Sequence, residues 1–174
     1  MVRRIGRKLP PASAPAAAAT FQLFIKDTEI RNNNNAVNGG AIKITPGANG
    51  TVVASLEKVR LMGNTFGLLA EDRVTVTASN TIASANVAQG FIAGGSTGPI
   101  SMNLESCVSS SNGSFGIRNS NPTATSIIRL SNCMIVGNAT GVSTNGASII
   151  RSFLNNRLDG NGTDGTLPIT KAQQ

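Results

Sequence analysis

From Phe21 onward, apolar and polar residues alternate in short runs, and Asn, Gly and Ser break the runs every few residues. Val74-Thr75-Val76-Thr77-Ala78, Ala41-Ile42-Lys43-Ile44 and Ile128-Arg129-Leu130 each put every second side chain on one face. A period of two marks a strand with one buried face, whereas an amphipathic helix would repeat its apolar positions every three or four residues. Turn-forming residues also recur too often for helices of ordinary length. The pattern predicts an all-β chain.

The runs themselves repeat. Asn64, Asn86, Asn112, Asn138 and Asn161 act as anchors, and a glycine follows three or four residues later in each case, at Gly67, Gly90, Gly116, Gly141 and Gly165. Successive anchors lie 22, 26, 26 and 23 residues apart. Eight residues before them stand Leu56, Ala78, Leu104, Leu130 and Phe153, all apolar; five before stand Val59, Thr81, Cys107, Cys133 and Asn156; three before stand Leu61, Ala83, Ser109, Ile135 and Leu158. A weaker copy near Asn33, with Leu23, Ile25, Thr28 and Ile30 in the matching places, brings the count to about six.

One such copy cannot cover its own apolar face. Stacked copies can, because each inward side chain then sits on its equivalent in the next turn and backbone groups pair between turns. At ~4.8 Å per turn, about six turns make a rod on the order of 30 Å long. The predicted fold is a right-handed parallel β-helix of about six coils over residues 21–168, after a basic Pro/Ala-rich arm at 1–20 and before a tail at 169–174. Asparagine suits the corners of such a coil, since it tolerates the left-handed region and its side chain bonds nearby backbone. Stacked asparagines can also form amide ladders along the axis.

Composition narrows the chemistry. The chain of 174 residues has no His, Trp or Tyr and six Phe. Imidazole general bases, imidazole metal ligands and Ser-His or Cys-His nucleophiles are therefore absent, and stacking platforms for sugars or single-stranded nucleic acid are nearly so. The formal charge is +7, but four of the fifteen basic residues (Arg3, Arg4, Arg7, Lys8) lie in the arm; the remaining eleven face eight acids, an ordinary solvated surface. Nucleic-acid binding through the arm ranks last, because no aromatic residues accompany it. The arm also lacks the apolar middle of a signal peptide, being interrupted by Pro10, Pro11 and Pro15. No stretch approaches the ~18 apolar residues of a membrane span.

The segments IASANVAQGFIA (82–93), VSSSNGSFGIRN (108–119) and MIVGNATGVST (134–144) resemble the N-x-x-G repeats of bacterial right-handed parallel β-helix proteins, the pectate-lyase-like superfamily. FLNNRLDGNGTDG (153–165) resembles the closing repeat of largely uncharacterised members. The resemblance covers about 21–168. It implies an exported protein, a scaffold shared with polysaccharide lyases and hydrolases, and a form shorter at its N-terminus than many relatives. Enzymes of this group carry several carboxylates, with Lys or Arg, on one outer sheet, and some use calcium.

Here the acids number eight: Asp27, Glu29, Glu57, Glu71, Asp72, Glu105, Asp159 and Asp164. Glu57 and Glu105 each lie seven residues before an anchor and so share a column, two coils and ~10 Å apart, near the upper limit for a pair that hydrolyses glycosides with inversion. In an enzyme, Lys58 or Arg60 would assist them. Glu71 and Asp72 form the densest acidic spot and the weak candidates for a cation such as calcium, with Arg73 as the nearer counterion. Gly94–Pro99 has the look of a phosphate loop but lacks the following Lys-Ser/Thr and helix, which leaves a turn. Cys107 and Cys133 hold one repeat position in adjacent coils; their Cα spacing of ~4.8 Å admits a disulfide, but side chains stacked in register point the same way, and a free-thiol stack is the expectation. The sequons at Asn49, Asn112, Asn138 and Asn161 follow from composition. The functional expectation is a non-catalytic β-helix module that is structural or binds a polysaccharide, cell-surface glycan or protein. The alternative is a pectate-lyase-like enzyme. Open strand edges at the first coil, near Phe21 to Ile25, and at the last, near Phe153 to Leu158, also predict end-to-end self-association, with the N-terminal end as the associating one.

Overall fold

A computed structural model describes residues 19–35, 39–167 and 169–170. The chain winds through three strands per turn: β1 (Thr20–Lys26), β2 (Glu29–Arg31) and β3 (Gly40–Ile44); β4 (Thr51–Glu57), β5 (Arg60–Met62) and β6 (Phe66–Glu71); β7 (Val74–Ser79), β8 (Ile82–Ser84) and β9 (Gln89–Gly94). It continues through β10 (Ile100–Glu105), β11 (Val108–Ser110) and β12 (Phe115–Asn119), then β13 (Ile127–Ser131), β14 (Met134–Val136) and β15 (Thr140–Thr144), and ends with β16 (Ile149–Ser152), β17 (Arg157–Asp159) and β18 (Ile169–Thr170). Every third strand pairs in parallel, giving sheets of seven, six and five strands. The result is an all-β parallel solenoid of five complete turns. The sixth copy supplies only β16, β17 and an isolated bridge between Thr140 and Thr163, so the expected six coils become five and a part.

Two boundaries shift. Thr20 already belongs to β1, and Ile169–Thr170 pair with β16 instead of trailing as a tail. Residues 1–18 of the expected arm and 171–174 of the expected tail lie outside the described residues.

The interior consists of columns. In the first sheet Leu23, Ala54, Val76, Met102, Ile128 and Ile150 stand in register, as do Ile25, Leu56, Ala78, Leu104 and Leu130. The third sheet contributes Ile42, Leu68, Phe91, Ile117 and Val142. Phe91, the largest fully buried side chain, shares its turn with Ala78 and Ala83, so small residues offset its volume. The last turn departs from the sequence alignment: Leu130 pairs with Ser152, not Phe153. One extra residue stands in that corner, and Leu154 takes it up with φ 68° and a side chain 63 % exposed.

A left-handed residue recurs at a fixed position in two of the three corners. Between the first and second sheets stand Asp27, Lys58, Asn80, Ser106 and Asn132, with φ from 47° to 54°. Between the second and third stand Asn32, Gly63, Ala85, Ser111, Gly137 and Gly160, with φ from 52° to 68°, each directly before an anchor asparagine or its Asn33 counterpart. The third corner is a loop of changing length. Glu71 and Val74 enclose two residues there, whereas Asn119 and Ile127 enclose seven, which is the main reason the repeat period varies.

Candidate functional site

Outward residues of the first sheet, beside the third corner, form the floor of a groove of about 530 Å³. Val53, Thr75, Ser101 and Ile127 are register neighbours on β4, β7, β10 and β13, and Thr20 extends the lining to β1. The groove therefore runs along the rod over five rungs, ~19 Å by the inter-strand spacing. Arg73 and Arg129 border it. Arg73 donates to the carbonyls of Gly50 (3.1 Å) and Gly47 (3.1 Å) and to Thr97 Oγ1 (3.2 Å). Arg129 donates to Ser101 Oγ at 2.8 Å and Asn103 Oδ1 at 3.2 Å. Neither guanidinium meets a carboxylate among the described residues, and no acid lines the groove. Sequence reasoning does not single out this surface, although Val53, Thr75, Ser101 and Ile127 each stand eleven residues before an anchor; the signal is that outward column, whose residue types differ from turn to turn.

The Glu57–Glu105 pair does share a column, with Ser79 between them and Ser131 beyond. The two carboxyls are otherwise engaged. Glu57 pairs with Lys26, its register neighbour, at 3.0 Å, and that hydrogen bond and charge hold its carboxyl below the ordinary value. Glu105 accepts from Ser106 Oγ at 3.3 Å. A glycosidic acid needs a raised pKa to keep its proton near neutral pH; Glu57 has the opposite environment.

Glu71 and Asp72 do not converge on a common point. Glu71 pairs with Lys43 at 3.2 Å and accepts from Thr45 Oγ1 at 2.7 Å. Asp72 Oδ1 accepts the backbone N–H groups of Ser96 (2.8 Å), Thr97 (2.8 Å) and Gly98 (3.1 Å), the turn of the next coil. Burial pushes the Asp72 carboxyl up, but these donors, with the Thr97 hydroxyl, outweigh it and lower its pKa. Arg73, expected as the local counterion, instead ties down the neighbouring loops, and Lys43 takes that place. Among the described residues no three potential ligands gather for a metal. The 94–99 turn is thus held by Asp72 as a structural latch.

The anchors form a continuous ladder. The backbone N–H groups of Asn33, Asn64, Asn86, Asn112 and Asn138 donate to Oδ1 of the next anchor at 2.9–3.1 Å. From Asn86 onward each Nδ2 also donates to that same Oδ1, at 2.8–2.9 Å. From Asn64 onward each Nδ2 reaches back to a carbonyl of the preceding turn, Ile30, Leu61, Ala83, Ser109 and Ile135 in order. At the C-terminal end Asp164 Oδ1 stands where a further anchor would, accepting from Asn161 N (3.2 Å) and Nδ2 (2.8 Å). Asp164, and not Gly165, also continues the glycine column: a Cβ on Gly141 would lie 2.7 Å from the Asp164 carbonyl, as one on Gly67 would lie 2.5 Å from that of Gly90. Asn112 and Asn138 are buried, so those sequons are closed to modification in the folded protein.

Cys107 and Cys133 are free and buried, and each Sγ faces carbonyls of its own and the preceding turn, Glu105 and Ala78 for the first, Ser131 and Leu104 for the second. The contact with Cys133 and burial raise the Cys107 thiol far above its ordinary pKa. It is an inert neutral thiol.

No family model, curated protein or solved structure matches this chain. No described helix is long and apolar enough to cross a membrane.

Proposed function

We propose that the protein is a non-catalytic β-helix module that binds an extended glycan along the groove on the outer face of its first sheet. The observation that carries this reading is the groove itself: five rungs of threonine, serine and aliphatic floor, bordered by Arg73 and Arg129 and lined by no carboxylate. Hydroxyls and guanidinium forks orient sugar hydroxyls or acidic substituents, and the aliphatic side chains offer an apolar bed for the ring faces. Glycoside cleavage needs two facing carboxyls, and Glu57 is held ionised by Lys26. The repeat motifs further support membership of the right-handed, pectate-lyase-like superfamily and a location outside the cytoplasm.

The test is a glycan and polysaccharide binding screen of the full chain with and without calcium, repeated with Arg129→Ala and accompanied by a depolymerisation assay. The reading predicts binding that weakens at least tenfold in the variant while its melting temperature holds, with polymer length unchanged. Calcium-dependent cleavage abolished by Glu105→Gln would replace the module with an enzyme, and the absence of any glycan binding would end the glycan reading.

A further inference from the structure

The two ends of the rod are built differently. At the C-terminal end Asp164 closes the asparagine ladder and β18 lies against β16, while the second sheet has charges of the kind that blunt a strand edge at both ends, Glu29 and Arg31 on β2 and Arg157 and Asp159 on β17. At the N-terminal end β1 is the outermost described strand of its sheet, with Phe21 59 % and Phe24 73 % exposed, and Leu23, Ile25 and Ile30 are only partly buried. Thr51 N–H donates to Ala19 O and Asp27 N–H to Glu57 O, so the odd-numbered residues of β1 turn their backbone groups toward β4. By the alternation of a parallel ladder, Thr20, Gln22, Phe24 and Lys26 turn theirs toward the open end.

We propose that this edge pairs with β1 of a second copy, antiparallel and about a two-fold axis at Leu23, giving a closed head-to-head dimer. The register follows from self-complementarity. Centred on Leu23, all seven residues of β1 find partners; Phe21 meets Ile25 of the second copy, Leu23 meets Leu23, and the inward apolar columns of two rods become continuous. In the same register Thr20 meets Lys26 and Gln22 meets Phe24, so residues with outward-turned backbone groups face one another and exchange hydrogen bonds. No like charges oppose each other. Centring on Phe24 instead would place Asp27 against Phe21 and leave two apolar pairs on the inward face where centring on Leu23 gives three. A two-fold contact uses the same edge on both copies, so it is isologous and stops at two copies. Residues 1–18 are the competing cover; Pro10, Pro11 and Pro15 lack the N–H that an added strand must donate, and the proline-free residues 1–9 include four basic side chains, Arg3, Arg4, Arg7 and Lys8. The dimer leaves the groove's outward floor at Thr75, Ser101 and Ile127 uncovered, and its success or failure is read independently of glycan binding.

Opposed Leu23 residues form a non-hydrogen-bonded pair with Cα atoms about 4.5 Å apart, inside disulfide range. Sedimentation velocity of the full chain over a concentration series should find a species of twice 17.8 kDa and no larger. Gln22→Pro removes an N–H that β4 does not use; it should raise the dissociation constant at least tenfold with the melting temperature of the monomer preserved. Leu23→Cys should oxidise to a covalent dimer, and Phe21→Cys should not. A chain lacking residues 1–18 should dimerise as the full chain does. A monomer at all concentrations, a growing series of oligomers, cross-linking at Phe21→Cys instead of Leu23→Cys, or a dimer that appears only once residues 1–18 are removed would overturn the proposal.

Discussion

Replacing Asn112 by alanine tests the ladder at its centre. The side chain is 1 % exposed; its Oδ1 accepts from Asn86 N (3.1 Å) and Nδ2 (2.9 Å), and its Nδ2 donates to Ala83 O (3.1 Å), Ser109 Oγ (3.2 Å) and Asn138 Oδ1 (2.8 Å). Some partners have second choices. Asn86 Nδ2 keeps Leu61 O, and Asn138 Oδ1 keeps the backbone N–H of residue 112. Asn86 N–H keeps none, and Ala83 O loses a donor. At about 1–3 kcal/mol for each buried group left unsatisfied, with the small void added, the loss is about 3–5 kcal/mol. That is roughly a fifth or more of a typical domain's stability, equivalent to a fall of roughly 6–20 °C in melting temperature. Urea unfolding followed by far-ultraviolet circular dichroism measures it. A loss below about 1 kcal/mol would refute the claim that these bonds hold the turns together. Asn112→Asp adds a sign test. Burial, and the acceptors Ala83 O and Asn138 Oδ1 that the second carboxyl oxygen would face, would raise the new carboxyl's folded pKa above the unfolded value of about 3.9 against the two donors from Asn86. The variant should therefore be most stable below that value and lose stability as pH rises through the folded pKa.

The remaining predictions concern the cap, the latch and the thiols. Asp164→Ala should cost about 1–2 kcal/mol in urea unfolding, for two lost acceptor contacts at a partly exposed end, whereas Asp164→Asn, which keeps an oxygen in place, should cost less than half as much. The folded pKa of Asp72 lies below its unfolded value, so its contribution is present above about pH 3.9 and is lost as pH falls through the folded pKa; thermal melts between pH 5 and pH 2 should show this acid-sensitive component in the parent and its absence in Asp72→Asn. Thiol titration should find no reactive sulfhydryl in the native protein and both in the denatured, unreduced chain; a denatured chain without free thiols would establish a disulfide.

The columns were legible because inward positions cannot vary freely. Leu56, Ala78, Leu104 and Leu130 hold one offset from their anchors since any slip of one residue would turn the apolar set to solvent. The last turn misled the count for a local reason: Leu154 bulges outward, so fixed spacing pointed to Phe153 where Ser152 pairs. Gly165 was matched for a similar reason, since a glycine stood one residue beyond the position that Asp164 fills. The acidic candidates show the limit of one-dimensional spacing. Glu57 and Glu105 were placed in the right column, but Lys26, which decides the state of Glu57, stands 31 residues earlier and belongs to the turn below. The partners of Asp72 lie one coil ahead, in a corner loop whose length no column constrains. The groove escaped notice because its residue types vary from rung to rung, as outward positions are free to do.

The central claim is that the anchors stand one above another and bond across turns. A long-range HNCO experiment, which transfers magnetisation through the hydrogen bond itself, addresses it atom by atom. The account predicts cross-peaks from the backbone nitrogens of Asn33, Asn64, Asn86, Asn112 and Asn138 to the side-chain carbonyl carbons of Asn64, Asn86, Asn112, Asn138 and Asn161 in turn. Missing cross-peaks, together with amide protons at Asn64, Asn86 and Asn112 that exchange with solvent within minutes, would contradict it.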